Sequence, residues 1–378
     1  MSRALDIVIL GLSLSSSWGN GHATTFRSLI RGLHAEGHHV LFLERDVPWY
    51  AAHRDLRDPD FCELSYYDSV DDLRSRFERR LIAADAVVIG SYVPDGVRVI
   101  DTVAALEPRL LCFYDIDTPV TLAKLGQDDQ EYIARRQMPV FDVYLSFSGG
   151  GVLDRLMADF GVSRAEALYC SVDERRYRNT GEQPFWDLGY LGTYSPDRQE
   201  TLQKLLIEPA RQLPHMRFIV AGPQFPASID WPENVTRIDH LAPADHPSFY
   251  SRQRFTLNIT RSDMIEAGWS PSVRLFEAAA CGTPIISDFW RGLDELFPRD
   301  SSILIAHDTA DVVGALTGLS EETRRGMADL AQRIVHGDHT GRARARQLAS
   351  ILSEGLPENR IGRRALAQQS KGEIACGR

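Results

Sequence analysis

The stretch 270-SPSVRLFEAAACGTPIISD-288 decides the fold of its part of the chain, because a short helix and a buried strand follow each other within it. Ser270 with Pro271 predicts the helix start, since serine caps helices and proline suits the first turn. Gly282 followed by Pro284 predicts the helix end, and residues 284–287 have the pattern of a buried strand. A helix start of this kind is free to bind a phosphate.

One carboxylate, Glu277, lies at the edge of the apolar face of this helix. Apolar residues between 273 and 280 fill one arc at 100° per residue, and Glu277 lies one turn beyond Val273, on the shoulder of that arc. The pattern leaves two interpretations open. Glu277 is either a half-exposed partner of Arg274 or a carboxylate that binds a ligand.

The overall composition is that of a globular protein with room for two domains: 378 residues, 43% hydrophobic and 25% charged. A net charge of −10 argues against a general nucleic-acid partner, because phosphate backbones need a basic face. No apolar run approaches the roughly 20 residues of a membrane span. The run 6-DIVILGLSL-14 contains Asp6 and lacks a signal-peptide cleavage site, so we expect a first strand there.

Five scattered cysteines form no Cys-x-x-Cys pair, which predicts reduced thiols and a cytoplasmic location; they are Cys62, Cys112, Cys170, Cys281 and Cys376.

Strand-like runs alternate with amphipathic stretches along the chain, which predicts two parallel sheets with helices on both faces. The predicted strands are 6–10, 39–44, 86–90, 110–115, 142–147 and 167–170, then 188–192, 216–222, 234–241, 255–260, 284–287 and 302–306. A polar segment, 173–186, separates the halves. The predicted parts are an N-terminal Rossmann-like domain (1–180), a C-terminal Rossmann-like domain (187–335), a C-terminal helix (336–354) and a mobile tail (355–378).

The motif around Glu277 resembles the donor-binding helix of GT-B glycosyltransferases, and most closely that of group-1-like transferases related to the spore-maturation protein CgeB. In group-1 enzymes a glutamate precedes a small-residue stretch and then Gly-x-Pro, as Glu277, residues 278–281 and residues 282–284 do here. The resemblance implies a GT-B fold, with two Rossmann-like parallel-sheet domains facing each other across a cleft. It also implies that Glu277 holds the ribose hydroxyls of a nucleoside-diphosphate sugar, while the helix N-terminus faces the diphosphate.

Three further segments resemble the donor site of that family. They are the phosphate loop 191-LGTYSPDR-198, the base-side segment 237-RIDHLAPADHPSFY-250 and the strand end 257-LNITRSD-263. The donor-binding residues implied are Gly192, Thr193, Arg198, His240, Leu241, Asn258, Arg261, Ser270, Ser272, Val273 and Glu277. Many group-1 enzymes carry a second glutamate eight residues before the first, where this chain has Trp269. The resemblance therefore names neither the sugar nor the stereochemical outcome.

The loop 11-GLSLSSSWGNGHATT-25 follows the first predicted strand and opens a helix. It lacks the Gly-x-Gly-x-x-Gly spacing of a dinucleotide site, although Glu44 ends the second strand as a ribose-binding acid would. We predict a flexible wall of an acceptor site, with Gly19, Asn20 and Gly21 in the loop. His22 is either a catalytic residue there or a helix-end residue with a structural hydrogen bond.

The run 114-YDIDTP-119 contains Asp-x-Asp, which holds a metal beside the diphosphate in GT-A glycosyltransferases. Here the pair lies in the other half of the chain from the donor signature. We therefore predict Asp115 and Asp117 as acceptor-side or catalytic carboxylates, with no bound metal and no cofactor. The alternative is that one of them caps the turn before Pro119.

These inferences predict a metal-independent enzyme that moves a sugar from a nucleoside-diphosphate sugar to an unidentified acceptor. Two alternatives stay open. One is a nucleotide-sugar 2-epimerase, which shares the GT-B fold, and the other is a catalytically idle nucleotide-sugar-binding protein.

Overall fold

The computed structural model describes residues 3–18 and 21–356. Contacts within the chain divide it into two compact units. Unit 1 takes its described residues from 1–149, 153–169 and 341–378, and unit 2 consists of 150–152 and 170–340. The sequence prediction puts the boundary near 180, about ten residues later than the contacts do. Of the predicted tail, residues 357–378 lie outside the described part.

Unit 1 is built on a parallel sheet with the strand order β3-β2-β1-β4-β5-β6-β7. Its central strands are continuous apolar runs, as expected for strands that are covered on both faces. The strands are β1 (Asp6–Gly11), β2 (His39–Arg45), β3 (Glu63–Tyr67), β4 (Ala86–Gly90), β5 (Leu111–Asp115), β6 (Val143–Ser146) and β7 (Ala165–Ala167).

Helices follow most of these strands. They are α1 (His22–Ala35), α2 (Pro48–Ala51), α3 (Val70–Ala83), α4 (Gly96–Ala104), α5 (Thr118–Gly126) and α6 (Gly151–Phe160), with a 3₁₀ segment at Arg135–Val140. The last helix, α15 (Gly341–Gly355), packs on α1 within unit 1, although it comes last in the sequence. The two helices meet at Gly32 and Gly341, where a β-carbon on Gly32 would come within 2.3 Å of the Gly341 carbonyl oxygen.

Unit 2 repeats the architecture, with the parallel strand order β10-β9-β8-β11-β12-β13. Its strands are β8 (Trp186–Leu191), β9 (Phe218–Ala221), β10 (Val235–Ile238), β11 (Gln253–Asn258), β12 (Ile285–Ser287) and β13 (Leu304–Ile305). Its helices are α7 (Gln199–Leu202), α8 (Glu208–Gln212), α9 (His246–Ser251), α10 (Ser262–Ala267), α11 (Val273–Ala280), α12 (Leu293–Leu296), α13 (Thr309–Gly318) and α14 (Glu321–Asp338), with a 3₁₀ turn at Pro196–Arg198 and a π-helical segment at Gln203–Ile207.

Two expectations from the sequence concern membrane-spanning helices and free cysteines. Within the described residues, no helix combines the length and apolar character needed to cross a membrane. Four described cysteines are free thiols, namely Cys62, Cys112, Cys170 and Cys281, while Cys376 lies outside the described residues.

Candidate functional site

The carboxyl ends of the unit 2 strands carry most of the predicted donor residues, because a parallel sheet collects its loops at that edge. Helix α11 begins there, with Ser272 as the N-cap in an extended conformation. The prediction that Ser270 caps this helix is wrong, since Pro271 precedes the helix instead of entering it. The Ser272 hydroxyl donates to Asn258 Oδ1 at 3.1 Å and does not cap the helix.

Glu277 is buried on α11, with 8% of its surface exposed, so the interpretation as a half-exposed residue is wrong. Its Oε2 accepts a hydrogen bond from the Tyr250 hydroxyl at 3.3 Å, and Tyr177 also hydrogen-bonds to the carboxylate. Burial raises the pKa of Glu277 to about 7, against the opposing effects of Tyr177 and Arg274. A carboxylate with this pKa changes its charge near neutral pH.

Arg274 does not form an ion pair with Glu277, and instead reaches from α11 to the ends of two strands. Its Nε donates to the Leu191 carbonyl oxygen, and its Nη1 donates to Asn258 Oδ1 at 3.0 Å. Its Nη2 lies beside Gly192, where an added β-carbon would come within 2.7 Å of it. Gly192 therefore leaves the room that the guanidinium occupies.

Two further arginines lie near Arg274. Arg198 is 8% exposed, donates to the Thr193 carbonyl oxygen, and has an Nε that is buried without a hydrogen-bond partner among the described residues. Burial lowers the pKa of Arg198, and the charges of Arg274 and Arg261 lower it further. Three guanidinium groups that repel one another at one sheet edge carry the charge that suits a multivalent anion.

Asn258 holds this edge together from the end of β11. It is buried, its Oδ1 accepts from Ser272 and Arg274, and its Nδ2 donates to Ser287 Oγ at 2.9 Å and to Thr260 Oγ1 at 3.1 Å. The Asn258 side chain thus fixes the start of α11 and the Arg274 guanidinium in one arrangement.

In unit 1, Asp115 ends β5 and is completely buried. Its Oδ2 accepts from the Tyr144 hydroxyl at 2.6 Å, and its Oδ1 accepts from Thr121 Oγ1 at 2.7 Å and from the Asp117 backbone at 3.2 Å. This environment favours the alternative in which Asp115 holds the turn, and its catalytic role stays a prediction. The carboxylate is enclosed and bonded on both oxygens, which is the pattern of a residue that holds the β5–α5 turn.

His22 and Asp117 lie at the starts of two unit 1 helices. His22 opens α1 after Gly21, and Asp117 precedes α5 as its N-cap residue without a side-chain cap. The His22 ring meets Tyr92 edge-on at 5.3 Å, and its Nδ1 is buried without a hydrogen-bond partner among the described residues. Burial lowers the pKa of His22 to about 4, so the ring is neutral at neutral pH. Gly19 and Asn20 lie outside the described residues.

Residues 13–16, in the first part of the loop where the sequence predicts a flexible wall, are held in place by Glu44. Glu44, completely buried, accepts from the backbone N–H groups of Leu14 and Ser15 at 2.7 and 2.8 Å and from the Ser15 hydroxyl at 2.6 Å. The carboxylate that resembles a ribose-binding acid thus organises the chain between residues 13 and 16.

The described residues include no group of three or more His, Cys, Asp or Glu side chains placed to hold a metal ion.

Comparison with known proteins adds a family match and a fold. Residues 198–350 match the family model described as glycosyl transferase-like. No curated protein matches the sequence. Among solved structures, a glycosyltransferase from Rickettsia africae has a TM-score of 0.67 at 9% identity, covering 94% of this chain and 99% of that one. Sucrose-phosphate synthase from Thermosynechococcus elongatus has a TM-score of 0.66 at 12% identity, covering 93% and 99%.

A third solved structure is Anabaena HepE in complex with UDP and glucose, with a TM-score of 0.61 at 13% identity, covering 93% of this chain and 100% of that one. At these identities the likeness establishes the fold.

The fold is GT-B, and residues 198–350 match a glycosyl transferase-like family model.

Within this GT-B fold, one edge of unit 2 brings together Gly192, Thr193, Arg198, Asn258, Arg261, Ser272 and Glu277. Val273 starts α11 with an exposed side chain, Ser270 is buried just before it, and His240 with Leu241 follows β10. Sequence reasoning named Arg274 only as a possible partner of Glu277, which lies three residues away on the same helix. It included Tyr250 only within the base-side segment 237–250, and it missed Tyr177.

The enclosed position of Asp115 leads to a prediction about stability. We expect Asp115→Asn to lower the melting temperature. Both oxygens of the buried Asp115 carboxylate accept hydrogen bonds, and an amide keeps only one of these acceptors, which costs about 1–3 kcal/mol. Nucleotide affinity, measured by calorimetry, should stay at the wild-type value, since the predicted donor residues belong to unit 2 and Asp115 belongs to unit 1. An unchanged melting temperature together with abolished sugar transfer would restore Asp115 as a catalytic residue.

Proposed function

We propose that this chain transfers a sugar from a nucleoside-diphosphate sugar, bound by unit 2, to an acceptor bound by unit 1. The observation that carries the proposal is the arginine cluster of Arg198, Arg261 and Arg274 beside the buried Glu277. The cluster combines positive charge, a buried guanidinium N–H without a partner and the start of α11 at the edge where α/β sheets bind ligands.

In this proposal the arginine cluster stabilises the leaving nucleoside diphosphate. Negative charge develops on the diphosphate as the bond to the sugar breaks, and fixed guanidinium groups stabilise that charge without having to reorganise. Arg274 suits the role because Leu191 and Asn258 already hold its guanidinium. The nearby Asp197 carboxylate accepts from the Ser262 backbone N–H at 3.0 Å and from the Ser195 hydroxyl.

Glu277 would accept the ribose hydroxyls when ionised. A carboxylate offers about four lone-pair directions, so it can accept from two neighbouring hydroxyls at once. The binding of two donors to a buried carboxylate also stabilises its charged form, which lowers its pKa in the complex.

The acceptor side is proposed for the starts of α1 and α5. A neutral His22 with an unbonded Nδ1 can accept the proton of an acceptor hydroxyl, and Asp117 at the neighbouring helix start can orient that hydroxyl. Two exposed indoles belong to the same unit. Trp18 stacks on His53 with ring centres 5.0 Å apart, and Trp49 lies 5.3 Å from the same ring. Rigid exposed aromatic faces suit a ring-bearing acceptor such as a sugar.

Several finer features belong to the proposal. We propose uridine as the first donor base to test, because HepE has been solved with UDP and with UDP-glucose. We also propose that the enzyme acts without a divalent metal, because arginines supply the charge that a metal would otherwise supply. We further propose that the chain is similar to the CgeB-related branch of these transferases and that it acts in the cytoplasm.

A thermal-shift experiment tests the proposal. UDP, GDP, ADP and dTDP are each added to the protein in EDTA and again with excess magnesium. We expect at least one ribonucleotide to raise the melting temperature in both conditions, because a ligand that binds only the folded state stabilises it. Absence of any shift would reject the donor site, and a shift only with magnesium would reject metal-independent binding.

Product analysis then separates the candidate activities. With the sugar form of the best nucleotide, a transferase given an acceptor should release free nucleoside diphosphate together with a glycosylated product. A 2-epimerase would accumulate an epimeric nucleotide sugar without an acceptor, and an idle binding protein would leave the donor unchanged.

A further inference from the structure

Three elements of unit 2 converge on the Glu277 carboxylate. Tyr177 comes from the segment between residues 170 and 186, Tyr250 from α9, and Glu277 from α11. Tyr250 is completely buried and Tyr177 is 3% exposed, so neither hydroxyl exchanges freely with water. The Tyr250 hydroxyl donates to Glu277 Oε2 at 3.3 Å, and Tyr177 hydrogen-bonds to the same carboxylate.

Tyr177 also has a second partner on its other side. Its hydroxyl oxygen lies 3.1 Å from His246 Nδ1. A phenol has one proton to donate, so Tyr177 cannot donate to His246 and Glu277 together. An ionised carboxylate makes the stronger, charge-assisted bond. When Glu277 is ionised, Tyr177 therefore donates to it and not to His246.

The two tyrosines leave part of the Glu277 carboxylate able to accept further hydrogen bonds. Two phenols occupy two of the roughly four lone-pair directions of the carboxylate. Two directions remain, which is the number that a vicinal diol needs. Both phenols are held by buried side chains on separate elements, so the two directions that they occupy are fixed.

We propose that Tyr177 and Tyr250 are positioning residues of the donor site, which turn the Glu277 carboxylate toward the ribose hydroxyls of the nucleotide. This inference rests on the proposed function. It assigns to two tyrosines a role that goes beyond satisfying a buried charge, and it predicts that their contribution exists only for ligands that carry ribose hydroxyls.

The groups around the carboxylate set the direction of its pH response. Arg274 and Arg176 favour the ionised form, while the tyrosines and the Cys281 thiol are neutral near pH 7 because burial raises the pKa of each. Burial also lowers the pKa of His246. The Leu241 backbone and Asp245 raise this pKa, and Arg176 and His240 lower it further. Removing one phenol leaves the ionised carboxylate less stabilised, so the pKa of Glu277 rises.

The test combines protein variants with a matched ligand pair. Tyr177→Phe and Tyr250→Phe are each titrated by calorimetry with UDP and with 2′,3′-dideoxy-UDP, or with the corresponding guanosine pair if GDP binds the unmodified protein more tightly. We expect each variant to lose about tenfold in affinity for the ribonucleotide, the effect of one hydrogen bond to a charged group, and to bind the dideoxy analogue as the unmodified protein does. Ribonucleotide affinity should also reach its maximum at a higher pH in the variants.

Tyr144→Phe is the matched control, because Tyr144 is an equally buried phenol that donates to a carboxylate, Asp115, in unit 1. It should leave the affinity for both ligands unchanged. Equal losses for the ribo and dideoxy ligands, or unchanged ribonucleotide affinity in both folded variants, would overturn the positioning role. If one tyrosine variant does not fold, the other decides. Failure of the unmodified protein to bind any nucleoside diphosphate would contradict the proposed function instead.

Discussion

Replacing Arg274 by alanine should weaken the binding of nucleoside diphosphate by about 2–4 kcal/mol, or roughly 30- to 1000-fold in Kd, the loss of one or two charge-assisted hydrogen bonds. Arg274 is the member of the arginine cluster that backbone and side-chain acceptors hold in place, at Leu191 and Asn258. Its guanidinium therefore needs little ordering when an anion binds. Calorimetry with UDP and with uridine measures the effect, and uridine affinity should not change because uridine has no phosphate.

Two further variants separate charge from geometry. Arg274→Lys keeps the positive charge but loses the planar fork that reaches Leu191 and Asn258, so we expect an intermediate loss of affinity. Arg325→Ala removes an arginine from the same unit that is exposed and pairs with Glu321, and it should bind UDP normally. Equal weakening of UDP and uridine by Arg274→Ala would show that the residue only supports the fold of this edge.

The sequence predicts the parallel sheets because their central strands are apolar runs with little ambiguity. The half-exposed edge strand β3, with the sequence ELSYY, is absent from the prediction, since it has neither a continuous apolar run nor a clear alternation. Its pairing with β2 depends on the tertiary position of the edge. The packing of α15 on α1 is also invisible in a linear pattern, because it depends on the meeting of Gly32 and Gly341, which lie far apart in the sequence.

In the candidate site too, some features follow from the local sequence and others depend on tertiary contacts. The position of Glu277 on a short helix with Gly282 just past its end follows from local chemistry, and the structure has both features. Its burial, the tyrosines around it and the path of Arg274 do not, because they depend on residues brought together from separate elements. Asp115 illustrates the opposite case. An aspartate at the end of a central strand has the sequence pattern of a functional carboxylate, whereas Tyr144 and Thr121 enclose it.

Glu277→Gln should weaken the binding of nucleoside diphosphate and stabilise the unliganded protein at the same time. Burial holds the pKa of Glu277 at about 7, above the ordinary 4.5, so the folded protein retains a proton that the unfolded chain releases. The unliganded protein therefore loses stability as the pH rises from about 4.5 through 7. Glutamine carries no charge to bury, so the variant should lack this loss and melt at a higher temperature than the unmodified protein at pH 8.

Nucleotide binding should depend on pH with the opposite sign. Ribose hydroxyls favour the ionised carboxylate, so the affinity of the unmodified protein should rise with pH and level off above about 7. For Glu277→Gln the affinity should be flat over this range. At pH 8 we expect it to fall by about 2–3 kcal/mol, the cost of weakened hydrogen bonds to a charged group, with a much smaller difference at pH 6, where Glu277 is largely protonated. Melting curves and calorimetry at both pH values test the two slopes together. A variant that is destabilised at pH 8, or that binds UDP with unchanged affinity there, would contradict a carboxylate kept buried for the donor, because a purely structural glutamate would not couple its charge to nucleotide affinity.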